Sequence, residues 1–186
     1  MHLMTQALSY FVFGALICGF AQVVIADRLS SRKKMQRDWH ELVAGLRRID
    51  FVGVSEVALD YLTPRRGQID LEPQRIWELI GGFEGLRGMR ENAEIMLALA
   101  ALTQSWNFAE GMIVTERMRH DAVLLRRAVR RVELGMKFGR LLGHLRLTLP
   151  LHLQEASAAY YLMRQRLLAL YETSHMSRYP VLAASL

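Results

Sequence analysis

The chain has 186 residues, 52% of them hydrophobic, with a net charge of +6 at pH 7 and a mean hydropathy of +0.10. Its only cysteine, Cys18, excludes an intrachain disulfide framework, a CxxC redox site and a cysteine-rich zinc site. The basic excess indicates an anionic partner such as lipid headgroups, nucleic acid or an acidic protein surface.

An uncharged apolar run is the first element of the chain. Residues Ala7 to Ala26 contain no Asp, Glu, Lys or Arg, and twenty residues at about 1.5 Å each match a hydrocarbon core of roughly 30 Å. The run therefore predicts one transmembrane helix. A cleaved signal peptide is a second interpretation, but it requires a basic n-region, and residues 1–6 are uncharged. A buried helix of a soluble domain is a third, although such helices rarely extend this far without a charge.

The charges beside the run predict its orientation. Five basic residues follow it closely: Arg28, Arg32, Lys33, Lys34 and Arg37. Residues 1–6 contain neither Lys nor Arg. The positive-inside rule therefore predicts a short extracytoplasmic N-terminus at 1–6, a single-pass helix at 7–26 and a cytoplasmic location for residues 27–186.

Small and polar residues inside the run suggest contact with other helices. Ala15 and Gly19 form a small-xxx-small pair, which lets a second membrane helix approach closely. Gln22 lies about one turn from the basic end. It either bonds to a partner helix or reaches the nearby headgroups.

The following segment predicts helices and one clear loop. Helical periodicity begins at Ser30 or Ser31 and continues through Trp39 and Leu42. Residues 50–62 fit either a helix or a strand, and a helix is favoured because no second strand is available to pair with them. Residues 63–73 read as a loop, with Pro73 suited to the first turn of the next helix.

A glycine-containing helix comes next. Gly81 and Gly82 are expected to interrupt it, and Gly82, Gly85 and Gly88 recur at every third position. This recurrence predicts a shallow groove for close helix packing. Ligand contact is the alternative, but the segment lacks GxGxxG spacing and follows a helix rather than a strand. Carboxylates on this helix pair with arginines at i,i+4 spacing, as in Arg87–Glu91, and predict a solvated face.

A long basic helix is predicted from about Phe108 toward Leu145. One side carries Val114, Met118, Leu125, Val132 and Met136. The other side carries six basic residues: Arg119, Arg126, Arg127, Arg130, Arg131 and Lys137. The basic side, within residues 117–146, is interpreted as a solvated face, an anionic-lipid surface or a contact with a partner subunit. Nucleic acid is unlikely as a partner because Phe138 is the only aromatic residue there.

The last predicted helix covers about Leu151 to Thr173, with a boundary at Pro150 and an irregular tail at 174–186. The chain is thus predicted to be all-α, with one transmembrane helix and a cytoplasmic domain of four or five helices at 27–173. The six histidines include no pair at the i,i+3 or i,i+4 spacing of a helical metal site. No catalytic arrangement is visible, so we expect neither an enzyme nor a cofactor.

These features predict a non-catalytic, single-pass accessory or scaffolding subunit of a larger membrane assembly. Its expected partners are membrane lipid and either other membrane subunits or further copies of itself. A membrane-tethered helical sensor that binds a small ligand is one alternative. An anionic-lipid-binding module that uses the basic helix is another.

Overall fold

The computed structural model describes residues 38–63, 71–103, 108–138, 149–174 and 177–186. These residues form helices and no strand, which confirms the predicted all-α class for this part of the chain. The helices are α1 (Trp39–Ala44), α2 (Phe51–Leu62), α3 (Pro73–Leu79), α4 (Gly82–Thr103), α5 (Phe108–Phe138), α6 (Leu149–Ser174) and α7 (Tyr179–Ser185).

The membrane features predicted near the N-terminus fall outside the described residues. They are the span at 7–26 with Ala15, Gly19 and Gln22, and the basic cluster Arg28, Arg32, Lys33, Lys34 and Arg37. Among the helices that the structure describes, none is both long enough and apolar enough to cross a bilayer.

Local capping explains where the first helices begin. The Asp38 carboxylate accepts a hydrogen bond from the backbone N–H of Trp39 at 2.7 Å, at the start of α1. At the start of α2, the Asp50 carboxylate accepts from the N–H groups of Val52 and Gly53 at 3.1 and 3.2 Å. An aspartate N-cap satisfies amides that a helix leaves free at its first turn, so Asp50 sets the start of α2, and the favoured helix over residues 50–62 is confirmed.

The core lies around α6. This helix packs against α2, α3, α4, α5 and α7, and its most extensive interface is with α5. Tyr160, Met163 and Leu167 of α6 are fully buried. A helix that is buried on several sides needs apolar residues around most of its circumference, and α6 has them.

Two hydrogen-bonded clamps hold α1 and the α1–α2 connector (residues 45–50) on this core. The Asn92 side chain of α4 accepts from the Arg47 N–H and donates to the Arg47 carbonyl, both at 2.8 Å. The same amide donates to the Tyr160 hydroxyl at 3.2 Å. In α1, the Trp39 indole donates to the Tyr171 hydroxyl, which donates to the Leu99 carbonyl, both at 3.1 Å.

The C-terminus differs from the prediction. Residues 179–185 form α7, and Leu182 is fully buried, so the predicted irregular tail at 174–186 is wrong over this stretch. Pro180 lies in the first turn of α7, where its missing N–H leaves no hydrogen bond unmade. Pro150 similarly lies in the first turn of α6, which begins at Leu149.

Candidate functional site

The inner face of α5 is held firmly against the bundle. Met118, Leu125 and Val132 are buried there, as the periodicity predicts. Asp121, only 5% exposed, forms an ion pair with Arg166 of α6. Burial lowers the pKa of Arg166, and the nearby positive charge of Arg117 lowers it further; the Asp121 carboxylate is its ion-pair partner.

The opposite side of α5 carries large apolar side chains that are exposed. Each is between 40% and 54% exposed: Met112, Ile113, Val123, Leu124 and Leu134. Single exposed apolar residues are common, but a set on one rigid helix forms a patch of the kind that marks interaction sites.

Basic side chains lie on the same side of α5. The exposed ones include Arg119, His120, Arg127, Arg130 and Arg131. We call this set and the five exposed apolar residues together the outer face of α5. Arg119 pairs with Glu116 at 2.8 Å, and Arg131 approaches Glu155 of α6 at 4.0 Å. Arg127 and Arg130 have no carboxylate partner within the part of the chain that the structure describes.

The structure describes the side chains of five of the six basic residues that were predicted on one side of α5. Arg119, Arg127, Arg130 and Arg131 are exposed, and Arg126 is half-buried. The side chain of Lys137 and residues 139–148 lie outside what the structure describes. Met136 was expected on the inner side but is 42% exposed near the end of α5.

Sequence reasoning missed the exposed apolar residues, although their spacing was a usable signal. Met112, Val123 and Leu134 recur every eleven residues, and Ile113 and Leu124 do the same. Eleven residues correspond to three helical turns plus about 20°, so side chains at this interval form a nearly straight row. The 3.6-residue period selects the apolar positions of the inner face, and the opposite side was interpreted from its basic residues alone.

The predicted glycine groove is occupied by nearby parts of the chain. Gly81 and Gly82 have φ angles of 73° and 60°, and the turn they make separates α3 from α4. The turn brings the Ile80 carbonyl against Gly85, where a Cβ atom would overlap it. Gly88 faces the Ile49 side chain of the α1–α2 connector, at 3.3 Å from a Cβ position. A further close approach occurs where Gly53 of α2 meets the backbone of α3.

A surface cleft adjoins these glycines. Its volume is about 450 Å³, and its lining includes Arg47, Arg48, Asp50, Gly81 and Glu84. Two of the charged lining residues have partners within the protein: Arg47 pairs with Glu91, and Asp50 caps α2. A hydrogen bond from Arg87, at 3.0 Å, holds the pKa of Glu91 below its ordinary value and confirms the predicted Arg87–Glu91 pair.

The chemistry of the described residues is that of a packed bundle with a charged surface. In the described ranges, no three His, Cys, Asp or Glu side chains converge in a way that could hold a metal ion. No known protein family, curated protein or solved structure matches the chain.

Proposed function

We propose that the protein is a non-catalytic accessory or scaffolding subunit of a membrane assembly and that it binds its partner through the outer face of α5. The observation that carries this proposal is the coincidence of exposed apolar and arginine side chains along one side of a single helix of 31 residues.

The rigidity of α5 favours binding. Its inner face is anchored by buried apolar residues and by the Asp121–Arg166 ion pair. The outer side chains are therefore displayed on a backbone that is already ordered before a partner arrives. Preorganisation of this kind lowers the entropy loss on association, so a modest apolar area can still give useful affinity.

The membrane part of the proposal depends on the predicted helix at Ala7–Ala26 and on the basic cluster Arg28–Arg37. A chain attached to the bilayer meets other membrane proteins at a raised effective concentration. Surface contacts that are weak in solution then suffice to hold a subunit in an assembly.

The proposal is tested by measuring the mass of the native particle that contains this protein. Full-length protein carrying a C-terminal tag is extracted from its native membrane in a mild non-ionic detergent, and the particle mass is measured. We expect a mass well above that of one 21.3 kDa chain in its micelle, with a defined second chain present. The double variant Arg119→Glu/Arg130→Glu should release that chain.

A matched control separates a specific loss from a general effect of charge. Arg75 forms an i,i+3 ion pair with Glu78, as Arg119 does with Glu116, and Arg48 is an exposed arginine of the connector. Arg48→Glu/Arg75→Glu should leave the particle intact. A wild-type particle that contains one chain and no other protein would overturn the proposal.

A second candidate function is small-ligand binding at the cleft beside Gly81. The observation that favours it is the volume of about 450 Å³, which lies within the range of known ligand sites. Its charged lining suits a polar ligand better than an apolar one. Reversing the charge of two exposed lining residues with Arg48→Glu/Glu84→Arg should abolish any ligand-induced rise in melting temperature, whereas Arg119→Glu/Arg130→Glu should not.

A further inference from the structure

The outer face of α5 alternates along its length between apolar and cationic side chains. Met112 and Val123 are each followed seven residues later by an arginine, Arg119 and Arg130. Seven residues bring a side chain back to within about 20° of the same line, so these four side chains lie nearly in one row. The whole pattern repeats after eleven residues, or about 16.5 Å.

This alternation argues against a bilayer as the occupant of the surface. A helix that lies in a membrane interface separates an apolar face from a cationic face. Here Arg130 comes eighteen residues after Met112, which is five full turns, so the two side chains share one line along the helix. Immersing Met112, Val123 and Leu134 in lipid would therefore drag Arg119 and Arg130 toward the hydrocarbon.

The charge of the surface argues against a second copy of the same chain. The outer face carries four exposed arginines, and Glu116 is the exposed acidic residue beside them. Two such faces in contact would bring arginines against arginines at several points. Like charges placed opposite one another in an interface weaken association strongly.

An acidic helix satisfies both constraints. The length of α5 from Met112 to Leu134 is about 33 Å, which a partner helix of similar length can follow. Apolar side chains repeated every eleven residues would meet the apolar rows, and carboxylates between them would meet the arginines. Arginine binds carboxylates through two parallel N–H···O bonds, which fixes the register as well as the affinity.

We infer that the outer face of α5 binds an amphipathic helix of a partner protein with apolar residues at eleven-residue intervals and Asp or Glu between them. This inference rests on the proposed function and specifies the chemistry of the partner. Arg127 and Arg130, which lack a carboxylate partner within the described residues, provide its primary contacts. Arg119 contributes by exchanging Glu116 for a carboxylate of the partner helix.

The test uses full-length protein in a neutral lipid nanodisc and a designed peptide as the probe. The peptide is a labelled helix of about 26 residues with Leu pairs every eleven positions and Glu pairs between them, and binding is followed by fluorescence anisotropy. We expect saturable binding that weakens by at least about tenfold in about 0.5 M NaCl. Arg119→Glu/Arg130→Glu should weaken it by at least the same factor.

Two controls make the result specific. Arg48→Glu/Arg75→Glu should bind the peptide as well as wild type, because both substitutions lie away from α5. A peptide with Lys in place of every Glu should fail to bind wild type but should bind the triple variant Arg119→Glu/Arg127→Glu/Arg130→Glu. The variants change exposed side chains, and an unchanged melting temperature shows that they remain folded.

A lipid membrane or a second copy of the chain on the outer face of α5 would give different experimental results. Binding to a membrane is tested by flotation with vesicles that contain about 30% phosphatidylserine. The inference would be overturned if the outer-face variants lost vesicle binding and the peptide bound these variants as well as it bound wild type. A concentration-dependent dimer that the outer-face variants abolish would overturn it in favour of a second copy. If the peptide fails to bind but the native particle still loses a chain in Arg119→Glu/Arg130→Glu, the partner is not an acidic helix and the proposed function stands.

Discussion

The α1–α2 connector and the outer face of α5 are both rich in arginine, yet they use their polar groups in opposite ways. At Arg47, the backbone N–H and carbonyl both bond to Asn92, and the guanidinium pairs with Glu91. On α5, Arg127 and Arg130 have no carboxylate partner in the described part of the chain, and apolar side chains lie exposed beside them.

This difference shows that the number of basic residues in a segment does not determine its role. The connector directs the backbone N–H and carbonyl of Arg47 inward to Asn92, where losing the partner leaves these groups without a hydrogen bond. The outer face directs its groups toward solvent, where a single charge contributes little to stability. Substitutions that break the contact between Asn92 and the Arg47 backbone should therefore change folding, and substitutions on the outer face of α5 should change binding.

The largest effect is expected at the glycine turn that supports the connector. Gly85→Ala would place a Cβ atom on the Ile80 carbonyl, and because the obstacle is backbone it cannot move aside easily. We expect the free energy of unfolding to fall by about 3 kcal/mol, measured by urea titration with tryptophan fluorescence in detergent. Gly45→Ala, whose Cβ would meet its neighbours at 3.4 Å or more with an ordinary φ of -79°, is the control and should be nearly neutral.

The Asn92 clamp should give the next largest effect. Asn92→Ala removes three hydrogen bonds and leaves the Arg47 backbone and the Tyr160 hydroxyl without partners, so we expect a loss of about 2–3 kcal/mol. Trypsin should then cleave after Arg47 and Arg48 faster than in wild type. Thr173→Ala, which removes an exposed hydroxyl, is the control. Unchanged cleavage at the connector in Asn92→Ala would contradict the role of the clamp.

The Trp39–Tyr171 clamp should show itself in the pH dependence of stability. Burial raises the pKa of Tyr171 from its ordinary value of 10 to about 12. The neutral phenol is thus favoured in the folded state, so its contribution is fully present below pH 10 and is lost as the pH rises to about 12. Unfolding free energy should fall over this window by up to about 1.4 kcal/mol per pH unit.

Tyr171→Phe tests this assignment. The variant should lose about 1–2 kcal/mol at pH 8, because Trp39 and the Leu99 carbonyl lose their partner. Its stability should also decline less steeply than that of wild type between pH 10 and pH 12. Tyr61→Phe, on the half-buried surface of α2, should keep the wild-type slope. If the two variants show the same slope, Tyr171 is not the group that titrates.

The smallest effect on stability is expected on the outer face of α5. Leu124→Gln and Leu134→Gln replace exposed side chains with one of similar helix propensity, so unfolding free energy should change by less than about 0.5 kcal/mol. Leu125→Gln, one residue away but fully buried, should cost at least about 3 kcal/mol in the same urea titration. Comparable losses at Leu124 and Leu125 would show that α5 has no free outer face.

Some features of the site could be predicted from the sequence because they depend on residues close together in the chain. The interruption at Gly81–Gly82 follows from glycine's access to positive φ, and the buried side of α5 follows from the 3.6-residue period. The exposed apolar rows at Met112 and Ile113 were equally present in the sequence, but only a period of eleven residues reveals them. Asn92 carried no signal, since it lies next to Glu91 and near Glu94, whose side of the helix was predicted to be a solvated face.

The sequence by itself determined the all-α class, the glycine break, the inner face of α5 and the Arg87–Glu91 pair, because each depends on residues within a few positions of one another. Only the tertiary structure decided that Asn92 holds Arg47, that Tyr171 joins Trp39 to Leu99, and that Leu182 is buried in a C-terminal helix. These contacts join residues far apart in the chain, and nothing in the local pattern selects one distant partner over another. The outer face of α5 depends on both levels. The spacing of its apolar and basic residues is visible in the sequence, whereas their exposure depends on how the helices of the bundle pack.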